Sequence, residues 1–411
     1  MFNLYFRMKK LLNTAHKILV VDTLRYIMFM KKYFWFILLA AISIPSVANA
    51  HEEINREPRN RIDNYQTMTI SQSGSLFYSV TNEIIQGVNN LNSNLTFIGR
   101  ANVGLEKITD NSGNEKITTK EDYLFSISVK TVEKDFVNYI YSNEISNKIV
   151  SDLIIISELT ANLYSIEIGD IVHLVGLNGE PLEIVVGDII SDSKLGWFEA
   201  VVSKETGFKL GIFRNIQAII WDNKITENHL IEIYRNIKYT KIRVSDENSK
   251  PNKNWVLPNA LVKETFGDFQ IKEKDGTWII TEPKWRDENI QTIRMPIIGR
   301  TTCHRLMWEP LRGALNQVKE EGLANTLYLD EFKISGGCYA PRRISRFDAG
   351  GSLSRHAWGI AIDINTKSGY VPRVVEIFNS WGFAWGGTWT SPDEMHFELR
   401  DLSASISKAS G

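Results

Sequence analysis

Two short stretches near the end of the chain carry the residue types that do chemistry: SLSRHAWGIAIDIN, from Ser352 to Asn365, and SPDEMHFEL, from Ser391 to Leu399. They offer His356, Asp363 and His396 as three donors for one divalent ion, with Asp393 just ahead of the last. Two imidazoles and one carboxylate leave a position open to water, the pattern of a catalytic zinc site; structural sites are usually closed by four protein ligands and rich in cysteine. A metal held this way lowers the pKa of its water toward ~7 and polarises a carbonyl. A carboxylate beside that water is the natural general base, and Asp393 is within reach of it, with Glu394 as its competitor.

These donors need elements to aim them. In GIAIDIN a period of two puts Ile360, Ile362 and Ile364 on one face and Ala361, Asp363 and Asn365 on the other, so Asp363 is expected to look out of a strand. Ala361 leaves room beside the carboxylate, and Gly359 lets the chain turn from His356 into the strand. In MHFEL the same alternation sends Met395, Phe397 and Leu399 one way and His396 and Glu398 the other. Taken singly, a histidine beside an apolar strand is usually a hydrogen-bonded residue and a turn aspartate a cap. Their joint occurrence on two alternating strands is what points to a metal. Trp381 reads as core, and Trp385 or Trp389 as a cleft wall.

SxHxxGxAxD, WGFxWGGxW and PDxMHFEL together resemble the VanY-like zinc D-alanyl-D-alanine carboxypeptidases. That family of peptidoglycan peptidases also includes D,D-dipeptidases and L-alanyl-D-glutamate endopeptidases. The likeness extends upstream through IIGRTTCHR and SGGCYAPRRI, so it spans roughly Trp255 to Leu402. It implies one Zn2+ held by His356, Asp363 and His396, with Asp393 as base and peptidoglycan stem peptides as substrate. It also implies an arginine that polarises the substrate carbonyl or binds the developing oxyanion, at Arg342 in preference to Arg343, and a serine, Ser354, that helps hold the substrate. A cysteine mechanism, with Cys338 as nucleophile and His356 as base or with Cys303 beside His304, leaves Asp363, His396 and Asp393 unexplained. The alternative from another class is a cell-wall-binding protein that keeps the peptidase fold without turnover.

From Met30 the chain reads MKKYFWFILLAAISIPSVANA, two lysines, an apolar run and a small-x-small ending, which marks residues 30–50 as a signal peptide cleaved after Ala50. Residues 1–29 do not fit that signal and read as an unused upstream start. The expected location is therefore the periplasm or cell envelope, with membrane contact only through the signal peptide if it stays uncleaved. In such a compartment Cys303 and Cys338, the two cysteines of the chain, are expected to pair. A net charge of -1 gives no electrostatic case for nucleic acid.

The 411 residues, 43% hydrophobic and 23% charged, have ordinary globular composition and room for two or three domains. Residues 51–244 read as a β-rich region of unknown role. Its expected elements are a helix from Phe77 to Leu95, a turn from Thr109 to Lys116 and a strand from Tyr123 to Val129. Ile171–Val175 and Leu182–Val186 should form a hairpin around Asn178-Gly179, joining Trp197–Val202 and Ala218–Trp221 in a small sheet or barrel. His173 and His229 stand at no metal spacing. SDENSKPNKN, residues 245–254, reads as a linker. Residues 255–411 then give two short strands around Asp275-Gly276, a helix from Glu309 to Glu321 stopped by Gly322, and another from Pro372 to Trp381 stopped by Gly382. Helices followed by ligand-bearing strands make the expected class α+β, with a small antiparallel sheet in the catalytic part.

Overall fold

Alternating apolar residues between Arg100 and Ser203 build a sheet that closes on itself. The strands run in the order Glu115–Thr118, Arg100–Thr109, Phe125–Val132, Ala200–Ser203, Leu153–Ser157, Pro181–Ile190 and Ile171–Val175, and the last pairs back onto Arg100–Thr109. The result is a barrel with Glu115–Thr118 as an outlying edge. Most neighbours are antiparallel, but Phe125–Val132 lies parallel to Ala200–Ser203, and Leu153–Ser157 parallel to Pro181–Ile190. Val103, Ile127, Val129, Ile154, Val172, Ile184 and Val202 fill its interior. Burying such side chains is the main drive for closing the barrel, each contributing roughly 1.5–3 kcal/mol relative to exposure.

This computed structural model describes residues 67–72, 86–87, 94–140, 147–149, 152–213, 217–221, 228, 231–232, 240–245, 256–274, 278–331, 338–344, 351–389 and 392–404. All of them lie in one unit, Glu57–Gly411. The expected signal peptide, the segment before it, His51, His229, Asp275-Gly276 and nearly all of the 245–254 linker lie outside the described residues.

The expected hairpin is present: Ile171–Val175 and Pro181–Ile190 pair around Gly179, whose φ of 81° the turn requires. One strand goes elsewhere. Gln217–Trp221 does not join the barrel but pairs with Thr67–Gln72 and Asn94–Ile98 in a separate antiparallel sheet that ends on Thr240–Ser245. The strand Asn94–Ile98 also replaces the end of the helix expected to reach Leu95. Gln86 and Gly87 are helical; the rest of that expectation lies outside the described residues.

In the C-terminal part the strands Ile271–Glu273 and Ile279–Thr281 pair as expected. The helices Trp308–Glu320 and Pro372–Ser380 also form, within a residue of their expected bounds. Two further helices, Asn259–Phe266 and Pro283–Asn289, and the hairpin of Ile290–Met295 with Gly299–His304 were not foreseen. The first of these helices buries Ala260, Leu261, Val262, Lys263 and Phe266, so several faces are covered and no single apolar stripe shows in its sequence.

The site rests on a three-stranded antiparallel sheet with His396–Leu399 in the centre, Ala361–Asp363 on one side and Phe383–Trp385 on the other. Helix Pro372–Ser380 covers one face, stacking Phe378 on Phe397 with ring centroids 4.5 Å apart. The whole is a mixed α and β structure, a β-rich region followed by small antiparallel sheets and helices.

A buried polar cluster ties the barrel to helix Asn259–Phe266. Lys263 sits 2.6 Å from Glu199 of the barrel and 3.7 Å from Asp268, and donates to the carbonyl of Ser126 and the hydroxyl of Tyr164 (3.2 Å). Glu199 in turn accepts from the backbone and hydroxyl of Ser128, both at 2.8 Å. Nearby, the Asn102 amide donates to Ser352 at 3.1 Å.

Candidate metal centre

His356 is carried by the short 3₁₀ turn Arg355–Trp358, which begins because the Ser354 hydroxyl accepts from the His356 backbone N–H. Gly359, at φ 69°, ends that turn and leads into Ala361–Asp363. Across the sheet, the register sets Asp363 directly opposite His396. Beyond the strand ends, the Tyr370 hydroxyl accepts from Ile364 N–H at 3.1 Å and reaches the Met395 carbonyl at 3.1 Å, fastening the two ligand-bearing segments together.

His356, Asp363 and His396 converge so that one donor atom from each lies within 4.8 Å of the others. Their relative exposures are 0%, 2% and 6%. The expectation that Asp363 looks outward is corrected: it does lie on the face opposite the isoleucines, but that face is covered too. The carboxylate is buried between two imidazoles, with Oδ1 2.8 Å from His396 Nδ1 and Oδ2 3.1 Å from His356 Nε2.

The donor set fits a metal ion on the state of its nitrogens. His356 Nδ1 lies 3.0 Å from the carbonyl of Cys338, which can only accept, so Nδ1 carries the hydrogen. His356 Nε2 is buried and makes no aligned hydrogen bond, and its remaining lone pair faces the Asp363 carboxylate. That arrangement repels unless a proton or a cation stands between. His396 places Nδ1 against Asp363 and Nε2 3.3 Å from Glu398, both acceptors.

The electrostatics agree. Burial pushes the Asp363 carboxyl up, but the paired imidazoles of His356 and His396 outweigh it and hold the group well below the usual carboxylate range. Burial opposes charge on His396, yet Asp363 and Glu398 prevail and push it up to about 9. A buried anion between two imidazoles, one of them drawn toward its charged form, is an arrangement suited to a cation.

The other expected residues fall around this centre. Asp393 lies in the turn before the His396 strand, its carbonyl accepting from His396 N–H at 3.1 Å. Burial, and then the charge of Asp363, raise its carboxyl, while His396, His356 and Arg342 act in the opposite direction, so it is in electrostatic reach of the whole group. Among the described residues its carboxylate makes no hydrogen bond or ion pair. Glu394 is exposed. Gly386 permits this packing, since a Cβ there would come 2.5 Å from the Asp393 carbonyl.

Arg342 is half-buried, with its guanidinium 3.3 Å from the Arg343 carbonyl and its charge felt at Asp393. Arg343 is committed elsewhere, to Glu273 and to the Gly351 carbonyl. Of the tryptophans, Trp381 donates to Gln317 at 2.9 Å and Trp385 to the Glu394 carbonyl at 2.8 Å, whereas Trp389 tilts against the His396 ring at 5.2 Å. Cys303 and Cys338 form a disulfide, so neither is a thiol nucleophile. The partners of the two histidines were missed from sequence: Cys338 meets His356 through its backbone and left no signal, while Glu398, 3.3 Å from His396 Nε2, stood two places after it on the same strand face.

Asp363 and His396 on adjacent antiparallel strands, joined by His356 from the preceding turn, define a candidate metallohydrolase centre. Residues 348–399 match the model of a family described as D-alanyl-D-alanine carboxypeptidase. The match includes Ser354, His356, Asp363, Asp393 and His396 and stops short of Arg342, a narrower span than the resemblance read from the sequence. It points to a peptidase of a peptidoglycan-related family, one whose members are typically metal-dependent. No curated protein matches the chain.

Proposed function

We propose that the protein is an exported zinc metallopeptidase that hydrolyses peptide bonds in peptidoglycan stem peptides, as a D-Ala-D-Ala carboxypeptidase or an L-Ala-D-Glu endopeptidase. The observation that carries this reading is the convergence of His356, Asp363 and His396, inside the family-matched segment, with an uncommitted Asp393 and the Arg342 cation beside them. A zinc ion held by these three residues supplies Lewis acidity and makes water a competent nucleophile near neutral pH.

The protein's own groups do the rest. Asp393 takes a proton from the attacking water, and its raised pKa suits that role by making the carboxylate a stronger base. Arg342 neutralises charge that develops on the carbonyl oxygen. Ser354 acts by fixing the turn that presents His356, a use of its hydroxyl that the capping contact supports. Export accords with the disulfide, which persists in an oxidising compartment.

The test is digestion of purified sacculi by the mature protein, with new termini identified by mass spectrometry and zinc counted in the same sample. About one zinc per chain and a defined new terminus are expected, and His356→Ala or Asp363→Ala should lose both. Full digestion after removal of metal would sink the reading.

A further inference from the structure

Glu398 presents a question that the metal centre alone does not answer. It is buried in the middle of the sheet, flanked across the strands by Ala361 and Ala384, two fully buried small residues. A buried carboxylate costs free energy unless it is paired and hydrogen-bonded. Its partners here include His396 Nε2 at 3.3 Å and Arg355 Nε at 3.7 Å. Arg355 is itself anchored at the far end of its guanidinium, donating to Asn259 Oδ1 at 2.9 Å and to the Leu257 carbonyl. A cation fixed to the start of helix Asn259–Phe266 therefore holds Glu398 beside the outer nitrogen of His396.

We propose that Glu398, held in place by Arg355, is the positioning residue that makes His396 a metal ligand: it accepts the Nε2 hydrogen and so leaves Nδ1, which faces Asp363, to the metal. Carboxylate and carbonyl acceptors behind ligating histidines fix both the tautomer and the ring orientation, and raise the basicity of the donor nitrogen. The centre then has two such acceptors of different kinds. The Cys338 carbonyl sets His356 to coordinate through Nε2, and the Glu398 carboxylate sets His396 to coordinate through Nδ1. The alanines on either side of Glu398 fit this role, since larger side chains there would crowd the carboxylate.

The proposal rests on the metal reading of the site, and the experiment separates the two. Zinc affinity is measured by chelator competition on the purified parent protein, Glu398→Ala and Glu398→Gln, with the His396 tautomer read by long-range ¹H–¹⁵N NMR of the metal-loaded forms. The expected result is a 10–100-fold loss of affinity in Glu398→Ala. A smaller loss is expected in Glu398→Gln, whose amide oxygen still accepts the Nε2 hydrogen and keeps the parent tautomer. Thermal unfolding of the metal-free forms serves as the control for stability. Parent-like zinc affinity in both variants would overturn the positioning role while leaving the metal centre intact. A parent protein that binds no zinc would overturn the metal reading itself. Should Glu398→Ala fail to fold because Arg355 is left buried without its partner, Glu398→Gln decides: weaker zinc binding supports the proposal, and unchanged binding overturns it.

Discussion

Asp393 and Glu394 are adjacent in sequence but differ in everything a general base needs. The first is half-buried in reach of both histidines and Arg342; the second is exposed. Asp393→Asn should therefore keep its zinc while turnover falls by about 10²–10⁴-fold, and Glu394→Gln should change neither zinc content nor rate, as measured on one preparation. A second outcome follows from His396. Against the effect of burial, Asp363 and Glu398 push its pKa up to about 9 from an ordinary 6.5. The stability it contributes is fully present below pH 6.5 and is lost as pH rises through about 9. Because a metal must displace the Nδ1 proton, zinc affinity should rise about tenfold per pH unit from this group alone up to about pH 9 and then flatten. Calorimetry in buffers of different ionisation enthalpy, counting the protons released per zinc, checks this. The three candidate ligands were legible because their side chains do the work and their spacing survives in the sequence. Cys338 was legible only as a thiol, because what it gives His356 is a backbone carbonyl, which every residue type carries.

At the scale of elements, what aims the site is close backbone approach. Gly386 lies where a Cβ would meet the Asp393 carbonyl at 2.5 Å and both Asp393 Cβ and His396 Cβ within 3.3 Å. Backbone cannot give way as a flexible side chain can. Gly386→Ala is expected to cost about 1–3 kcal/mol in urea unfolding and to lower turnover more than zinc binding, since the turn bearing the base is pushed first. The strands His396–Leu399 and Ala361–Asp363 were readable from their period of two. The period did not reveal that both faces are covered, because it says nothing of what packs on the polar face, where the His356 ring of the Arg355–Trp358 turn lies 5.2 Å from that of His396. Helix Asn259–Phe266 was hidden for a related reason: a short helix buried on several sides shows no stripe, and one of its buried positions is a lysine.

For the whole molecule, that lysine decides how independent the barrel is. Lys263 and Glu199 are almost wholly buried, at 1% and 0% side-chain exposure, where helix Asn259–Phe266 meets the barrel. Removing one partner of a buried pair leaves an uncompensated charge, so Lys263→Met should cost about 3–5 kcal/mol in denaturant unfolding, with part of it recovered in Lys263→Met/Glu199→Gln. The sequence showed a polar stretch at 245–254 and suggested separable parts; it could not show a long-range ion pair across the boundary. A different long-range bond bears on the metal. The Cys303–Cys338 disulfide joins residues 35 apart in sequence, and the carbonyl of Cys338 is the group that turns His356 toward Asp363. The bond that closes the loop containing helix Trp308–Glu320 thus also anchors the residue whose carbonyl supports the first histidine. If His356 serves as a metal ligand, a chain held among reduced thiols would lack part of the support for that ligand.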